Sequence, residues 1–227
     1  MTKKAVLFDL DGTLFDTAPD IMAACNHALV SCGYAPLDEK LMRTKVTSGM
    51  RAMLRLRIPK DEWAVTEPGA KAYQEFSSCY TAHASNLTKP FPGIPELIGQ
   101  LQSEGFSLAV ISNKYVRMIK ALFAAFPFTK AFSCVLGGDS TQRSKPDPQP
   151  LLTALEALGV RPENALYAGD FIDDVTAARG AGCLSCAVQW GYGQNECGDI
   201  SLWGADLIAK APGDILSAAR ERLGSPQ

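Results

Sequence analysis

Phe8-Asp9-Leu10-Asp11-Gly12-Thr13-Leu14-Phe15-Asp16 continues a short apolar run that begins at Ala5. Ala5-Val6-Leu7-Phe8 fits a buried strand, and Gly12 marks the turn that ends it. Two carboxylates, Asp9 and Asp11, are thereby delivered to one strand end, and alternation along the strand sets them on the same side. Held close and partly dry they repel each other, unless a cation or a shared proton relieves them. The stretch predicts a bound metal ion.

Just after it, Thr17-Ala18-Pro19-Asp20 reads as a helix start. Thr17 can cap, proline is tolerated in the first turn, and Asp20 is placed to reach back toward the cap and meet the positive helix end. Ile21, Met22, Cys25, Ala28 and Leu29 then recur at helical spacing up to Gly33. The chain stays helical in character to about Lys89, with no clear strand, which suits a small helical module of its own. His27 and His83 lie in this module and read as packing or surface residues. At Lys89-Pro90-Phe91-Pro92-Gly93 the composition changes to a proline-rich hinge.

From there short apolar strands alternate with helices. Strands are expected at 107–111, 132–136, 165–168, 183–188 and 206–208, and helices at 95–104, about 114–125, from Pro148 to Gly159, up to Gly180 and at 212–223. This interval implies a parallel sheet covered on both faces, a three-layer, Rossmann-like α/β core. Ligands bind outside the carboxyl ends of the strands in such a sheet. Asp9 and Asp11, Ser112 and Asn113, and Asp170 with Asp173 and Asp174 fall at strand ends, while Lys145 lies in the loop before a helix. Hard carboxylate oxygens with no histidine or cysteine beside them suit Mg²⁺. Ser112, the backbone N–H groups of the helix that follows, and Lys145 suit phosphoryl oxygens. Asp9 is a possible nucleophile toward phosphorus.

The bulk numbers exclude several classes. A length of 227 residues with 47% hydrophobic residues supports a sizeable core, and 22 basic against 24 acidic residues leave a net charge of −2. No basic block marks a nucleic-acid or membrane partner. No apolar stretch approaches the roughly 18 residues of a membrane span, and no signal-peptide core is evident, so the cytoplasm is expected. Most of the seven cysteines are expected to be small, reduced core residues. Cys183-Leu184-Ser185-Cys186 lacks a second pair or a positioned histidine, and reads as part of a buried strand rather than a zinc or redox motif.

Asp9-Leu10-Asp11-Gly12-Thr13-Leu14, Ser112-Asn113, Lys145 and Gly169-Asp170-Phe171-Ile172-Asp173-Asp174 resemble, in order, the four motifs of the haloacid dehalogenase-like hydrolases. The resemblance covers essentially the whole chain and is strongest to the phosphoglycolate phosphatase branch, with its close relatives the N-acetylmuramic acid 6-phosphate phosphatases. It implies residues 1–16 and 90–227 as a phosphatase core and 17–89 as a helical cap. It further implies Asp9 as nucleophile, Asp11 as acid and base, and Mg²⁺ held by Asp9, the Asp11 carbonyl and Asp170, with Asp174 in the outer shell. Thr13, Ser112, Asn113 and Lys145 would hold phosphoryl oxygens. The partner implied is a small phosphate ester, the enzyme a monomer or homodimer. Phe171 and Asp173 depart from the usual residues after Gly169-Asp170, which makes Asp173 the second choice for the outer-shell role.

Selectivity is expected in the cap. Thr47-Ser48-Gly49-Met50-Arg51 is the candidate recognition loop, with Arg51 able to meet a carboxylate or sugar hydroxyls or to stand as a solvated helix charge. Lys114, beside Asn113, reads equally as added positive potential near a phosphate or as a helix-surface lysine. A true dehalogenase would not need Asp11 or Asp170. A phosphosugar mutase would share all four motifs, and a non-catalytic phosphate-binding protein would be expected to lack one of them.

Overall fold

Every residue of the apolar run Ala5–Phe8 is buried, and the run is a strand, β1, in a computed structural model that describes residues 3–224 and 226 of the chain. It is followed by β2 (Phe15–Asp16), then by the helices α1 (Ala18–Ser31), α2 (Glu39–Arg43), α3 (Met50–Leu54) and α4 (Lys71–His83), and by β3 (Lys89–Pro90). The rest alternates: α5 (Ile94–Ser103), β4 (Ser107–Ile111), α6 (Val116–Phe123), β5 (Cys134–Leu136), α7 (Gln149–Leu158), β6 (Ala165–Gly169), α8 (Ile172–Ala181), β7 (Leu184–Val188), α9 (Gln194–Cys197), β8 (Leu207–Ala209) and α10 (Pro212–Ala218). The chain divides into two units, residues up to 16 with those from 90 onward, and Thr17–Lys89.

In the first unit, six strands form one sheet in the order β5-β4-β1-β6-β7-β8, and the pairings are parallel throughout. Strands buried on both faces need continuous apolar sequence, which β1 and β6 supply. On one face Leu7, Ala109, Ile111 and Tyr167 meet Leu151, Leu155 and Ala178 of α7 and α8. The chain order reverses at β1, with β4 on one side and β6 on the other, which opens a crevice at the carboxyl ends of these three strands. The three-layer α/β expectation holds.

Several boundaries move, each for a local reason. The strand expected at 132–136 shortens to β5 because Pro127–Ala131 winds as a 3-10 turn and the Phe132 ring packs edge-on against Phe8 at 6.2 Å. The helix expected from Lys114 starts at Val116, whose N–H donates to Asp139 Oδ1 at 2.9 Å. Cys183 N–H closes the end of α8 on Ala178 O at 2.9 Å, so β7 begins one residue later. Asp206 lies ahead of β8 because its carboxylate accepts from Ser185 N and Oγ at 2.9 and 2.6 Å. The last α-helix ends at Ala218 and passes into a π turn, Ala219–Leu223. Cys183 and Cys186 are buried free thiols that burial pushes up to about 12, which makes them unreactive.

The second unit is helical, as its periodicity implies. α1 and α4 pack along each other, burying Met22, Cys25 and Leu29 from one and Phe76 and Tyr80 from the other. Asp20 does not reach back to the start of its helix. Its carboxylate accepts from Leu87 N and Thr88 N, the latter at 2.7 Å, and so ties the end of the module to its beginning. Among the described residues no helix is long and apolar enough to cross a membrane.

Candidate active site

Asp9 follows β1 directly, and its N–H donates to Ala168 O on β6 at 2.8 Å, so the sheet itself fixes where the residue stands. The turn after it closes on Gly12, whose φ of 81° an L side chain rarely adopts. A Cβ there would also collide with the Asp170 carboxylate. Glycine is thus required twice over, by conformation and by space.

Lys145 is the centre of the arrangement. Its ammonium lies 2.6 Å from Asp9 Oδ1, 2.7 Å from Asp174 Oδ1 and 2.9 Å from the Tyr167 hydroxyl. Three N–H donors meet three acceptors. Asn113 holds this lysine's backbone at two points, donating from Nδ2 to Lys145 O at 3.0 Å and accepting from Lys145 N at Oδ1 at 3.1 Å. Tyr167 stands beneath, its hydroxyl 3.0 Å from both Ile111 O and Asp174 Oδ1. The other oxygen of Asp174 accepts from Phe171 N at 3.0 Å, a carboxylate at the third helical position reaching back to the cap of α8.

Asp170, 1% exposed, follows β6 directly. Thr13 Oγ1 donates to its Oδ1 at 3.3 Å. Its Oδ2 accepts from the backbone of the loop after β7, from Tyr192 N at 2.7 Å and Gly193 N at 3.3 Å. The same loop anchors elsewhere, through Trp190 Nε1 to Thr13 O at 3.0 Å and Tyr192 OH to Asp16 Oδ1 at 2.5 Å.

The expected site residues of the core therefore converge. Asp11 Oδ1 is turned to Lys114 Nζ, 2.5 Å away, and the charge of Asp11 adds to the upward push on Asp9. The group whose oxygens lie within 4.8 Å of one another is Asp9, Asp170 and Asp174. Of the two aspartates considered for the outer position, Asp174 is buried against Lys145 while Asp173 is partly exposed. Ser112 is buried and its Oγ accepts from Lys114 N at 3.2 Å. Arg51 lies in the other unit, on α3, where it pairs with Glu67 at 3.1 Å with half of its side chain exposed. Glu67 also accepts from Arg55.

Tyr167 shows in the sequence only as a strand residue, and the loop Trp190–Gly193 lies outside the four motifs. The loop left a trace in its two glycines: a Cβ on Gly191 would strike the Asp170 side chain, and one on Gly193 the Asp170 carbonyl.

The electrostatics are those of an anion-rich pocket short of one cation. Burial raises Asp9 to about 7, with Lys145 opposing the shift and Asp174 adding to it. Burial also lifts Asp170 well above the carboxylate range, reinforced by Asp9 and Asp174. Burial alone would lower Lys145, but Asp174 and Asp9 outweigh it and hold the ammonium above its ordinary value. Three carboxylates against one ammonium leave two negative charges when all are ionised. An all-oxygen donor set with that excess fits a hard divalent cation.

A family model described as haloacid dehalogenase-like hydrolase matches residues 6–188. Among curated relatives, an N-acetylmuramic acid 6-phosphate phosphatase of Pseudomonas aeruginosa is 37% identical, covering 98% of this chain and 97% of its own. A phosphoglycolate phosphatase of Neisseria gonorrhoeae is 38% identical over 96% of this chain and 91% of its own. Among solved structures, a predicted phosphoglycolate phosphatase from Haemophilus somnus superposes with a TM-score of 0.84 at 28% identity, covering 96% and 98% of the two chains. With the motifs in order, their side chains gathered at one sheet edge and these likenesses over nearly the full length, the chain belongs to the haloacid dehalogenase-like hydrolase family, among its phosphatases.

Proposed function

We propose that the protein hydrolyses a small phosphate monoester, phosphoglycolate or a sugar phosphate, through an aspartyl-phosphate. The observation that carries this reading is the gathering of Asp9, Asp170 and Asp174 around Lys145 at the carboxyl edge of the sheet. An oxygen of Asp9 attacks phosphorus, the bond from phosphorus to the ester oxygen breaks, and Asp11 gives that oxygen its proton. Asp11 then takes a proton from the water that attacks the aspartyl-phosphate, which returns Asp9 and releases phosphate. Lys145 orients Asp9 and offsets its charge against the incoming dianion. Ser112 and Thr13, with the backbone N–H groups nearby, receive phosphoryl oxygens, while Asn113 keeps Lys145 in place.

Mg²⁺ would be held by Asp9, Asp170 and the Asp11 carbonyl, with Asp174 ordering the outer shell; it would neutralise the carboxylates and the phosphoryl oxygens. Its charge would also oppose the tendency of burial to protonate Asp9. The helical unit 17–89 is proposed as the cap that governs substrate choice, with Arg51 as its selectivity residue. Both relatives' names denote phosphate esters of acids, and a basic residue suits a carboxylate.

Asp11→Asn provides the test. Given p-nitrophenyl phosphate, whose leaving group needs no proton, the variant should accumulate a phosphoryl group on the peptide that contains Asp9, while the wild type releases inorganic phosphate in a Mg²⁺-dependent reaction. Absence of that adduct together with an active Asp9→Asn variant overturns the mechanism.

A further inference from the structure

Lys114 is not a helix-surface lysine. It precedes α6 in the loop after β4, its side chain is only 9% exposed, and its ammonium lies 2.5 Å from Asp11 Oδ1. The backbone under it is fastened on each side. Lys114 N donates to Ser112 Oγ at 3.2 Å, and Lys114 O accepts from Gly138 N at 2.9 Å. Gly137 and Gly138 leave this loop no slack, since a Cβ on the first would strike Lys114 O and a Cβ on the second the carbonyl of Asn113. Exposed ion pairs between flexible side chains carry little energy or direction. This one joins a lysine on a clamped loop to an aspartate on the turn closed by Gly12, and both partners are largely buried.

We propose that Lys114 is a positioning residue for the reaction, fixing the orientation of the Asp11 carboxylate that serves the leaving group. The proposal rests on the acid and base role given to Asp11 above. It separates Lys114 from Lys145 although both are buried lysines at the same sheet edge. Lys145 fixes the attacking group, and Lys114 fixes the group that handles the departing oxygen. A displaced general acid costs most where the leaving group needs its proton. An ångström of misplacement is worth about 100-fold in rate.

Phosphoryl transfer to the enzyme, measured in a single turnover with Mg²⁺ present, tests this with two esters, β-glycerophosphate and p-nitrophenyl phosphate. Lys114→Met should slow transfer from the alkyl ester by about 100-fold and from the aryl ester by only a few-fold, since an aryl oxide leaves without a proton. Lys114→Arg, which keeps a cation in reach of Asp11, should recover most of the loss. In an Asp11→Asn background Lys114→Met should add almost nothing.

Equal losses on the two esters would place Lys114 on the phosphoryl group instead, and a full loss persisting in the Asp11→Asn background would overturn the proposal outright. A double-mutant cycle on Tm with the same two substitutions needs no turnover. Additive effects there refute the positioning pair. A wild type that hydrolyses neither ester while the cycle shows coupling would count against the proposed function and leave the pair standing.

Discussion

Asn113 shows how much of a site is decided by a single amide. Both of its polar ends are occupied by the backbone of Lys145, and the lysine in turn holds Asp9 and Asp174. Asn113→Ala leaves the N–H and the C=O of Lys145 without those partners, at about 1 to 3 kcal/mol for each that stays buried. The lysine should then lose its aim, with kcat falling about 10- to 100-fold and Tm dropping as well. Inhibition by inorganic phosphate should change far less. A raised inhibition constant for phosphate with kcat intact would instead show that Asn113 contacts phosphoryl oxygens, as its motif suggests. Asp9, Lys145, Asp170 and Asp174 are legible in the sequence because parallel topology brings strand ends and the loops beside them to one sheet edge, and because the four stand in motifs that resemble those of a known family. The partners of Asn113, Lys114 and Tyr167 are not, because which atoms a side chain meets depends on loops more than 30 residues away, such as that of Lys145.

At the scale of elements, the loop between β7 and α9 controls Asp170 from outside the recognisable motifs. Tyr192 N and Gly193 N both donate to Asp170 Oδ2, and Trp190 and Tyr192 pin the loop to Thr13 and Asp16. Gly193 has φ −57° and ψ −33°, which any residue adopts, so only space forbids a side chain there. A Cβ would collide with the Asp170 carbonyl and press on the Trp203 ring. Gly193→Ala should therefore cost about 1 to 3 kcal/mol by overpacking. It should also raise the Mg²⁺ concentration for half-maximal activity about 10-fold or more, within the range found when groups supporting a metal ligand are lost. Gly213→Ala, in the first turn of α10 with open space around it, is the control and should leave both quantities unchanged or raise Tm slightly. An unaltered Mg²⁺ requirement in Gly193→Ala would separate this loop from the metal site. Strands and helices were readable here from apolar period and glycine stops, whereas this irregular loop offered only its composition.

For the molecule as a whole, the carboxylate cluster links stability to pH and to metal. Asp9 is raised from 3.8 to about 7 by burial, and Asp170 is raised as well. Without metal, both keep protons in the folded chain at pH values where the unfolded chain has released them. The unfolded state then binds fewer protons, and stability falls as pH rises from about 4 through about 7. Below the unfolded value both states are protonated and this penalty vanishes. Mg²⁺ requires the ionised forms, so protons compete with it and its affinity should rise across the same window. At 100 times its dissociation constant a ligand adds about 2.7 kcal/mol, which for a chain of this size is about 5 to 10 °C in Tm. The increment produced by a fixed Mg²⁺ concentration should thus be small at pH 5 and approach that range at pH 8. Asp9→Asn should flatten the metal-free decline, because an amide has no proton to retain. A Mg²⁺ increment that is constant with pH, or larger in acid, would mean that the ion does not bind these carboxylates, and the charge deficit around Lys145 would then need another source of relief.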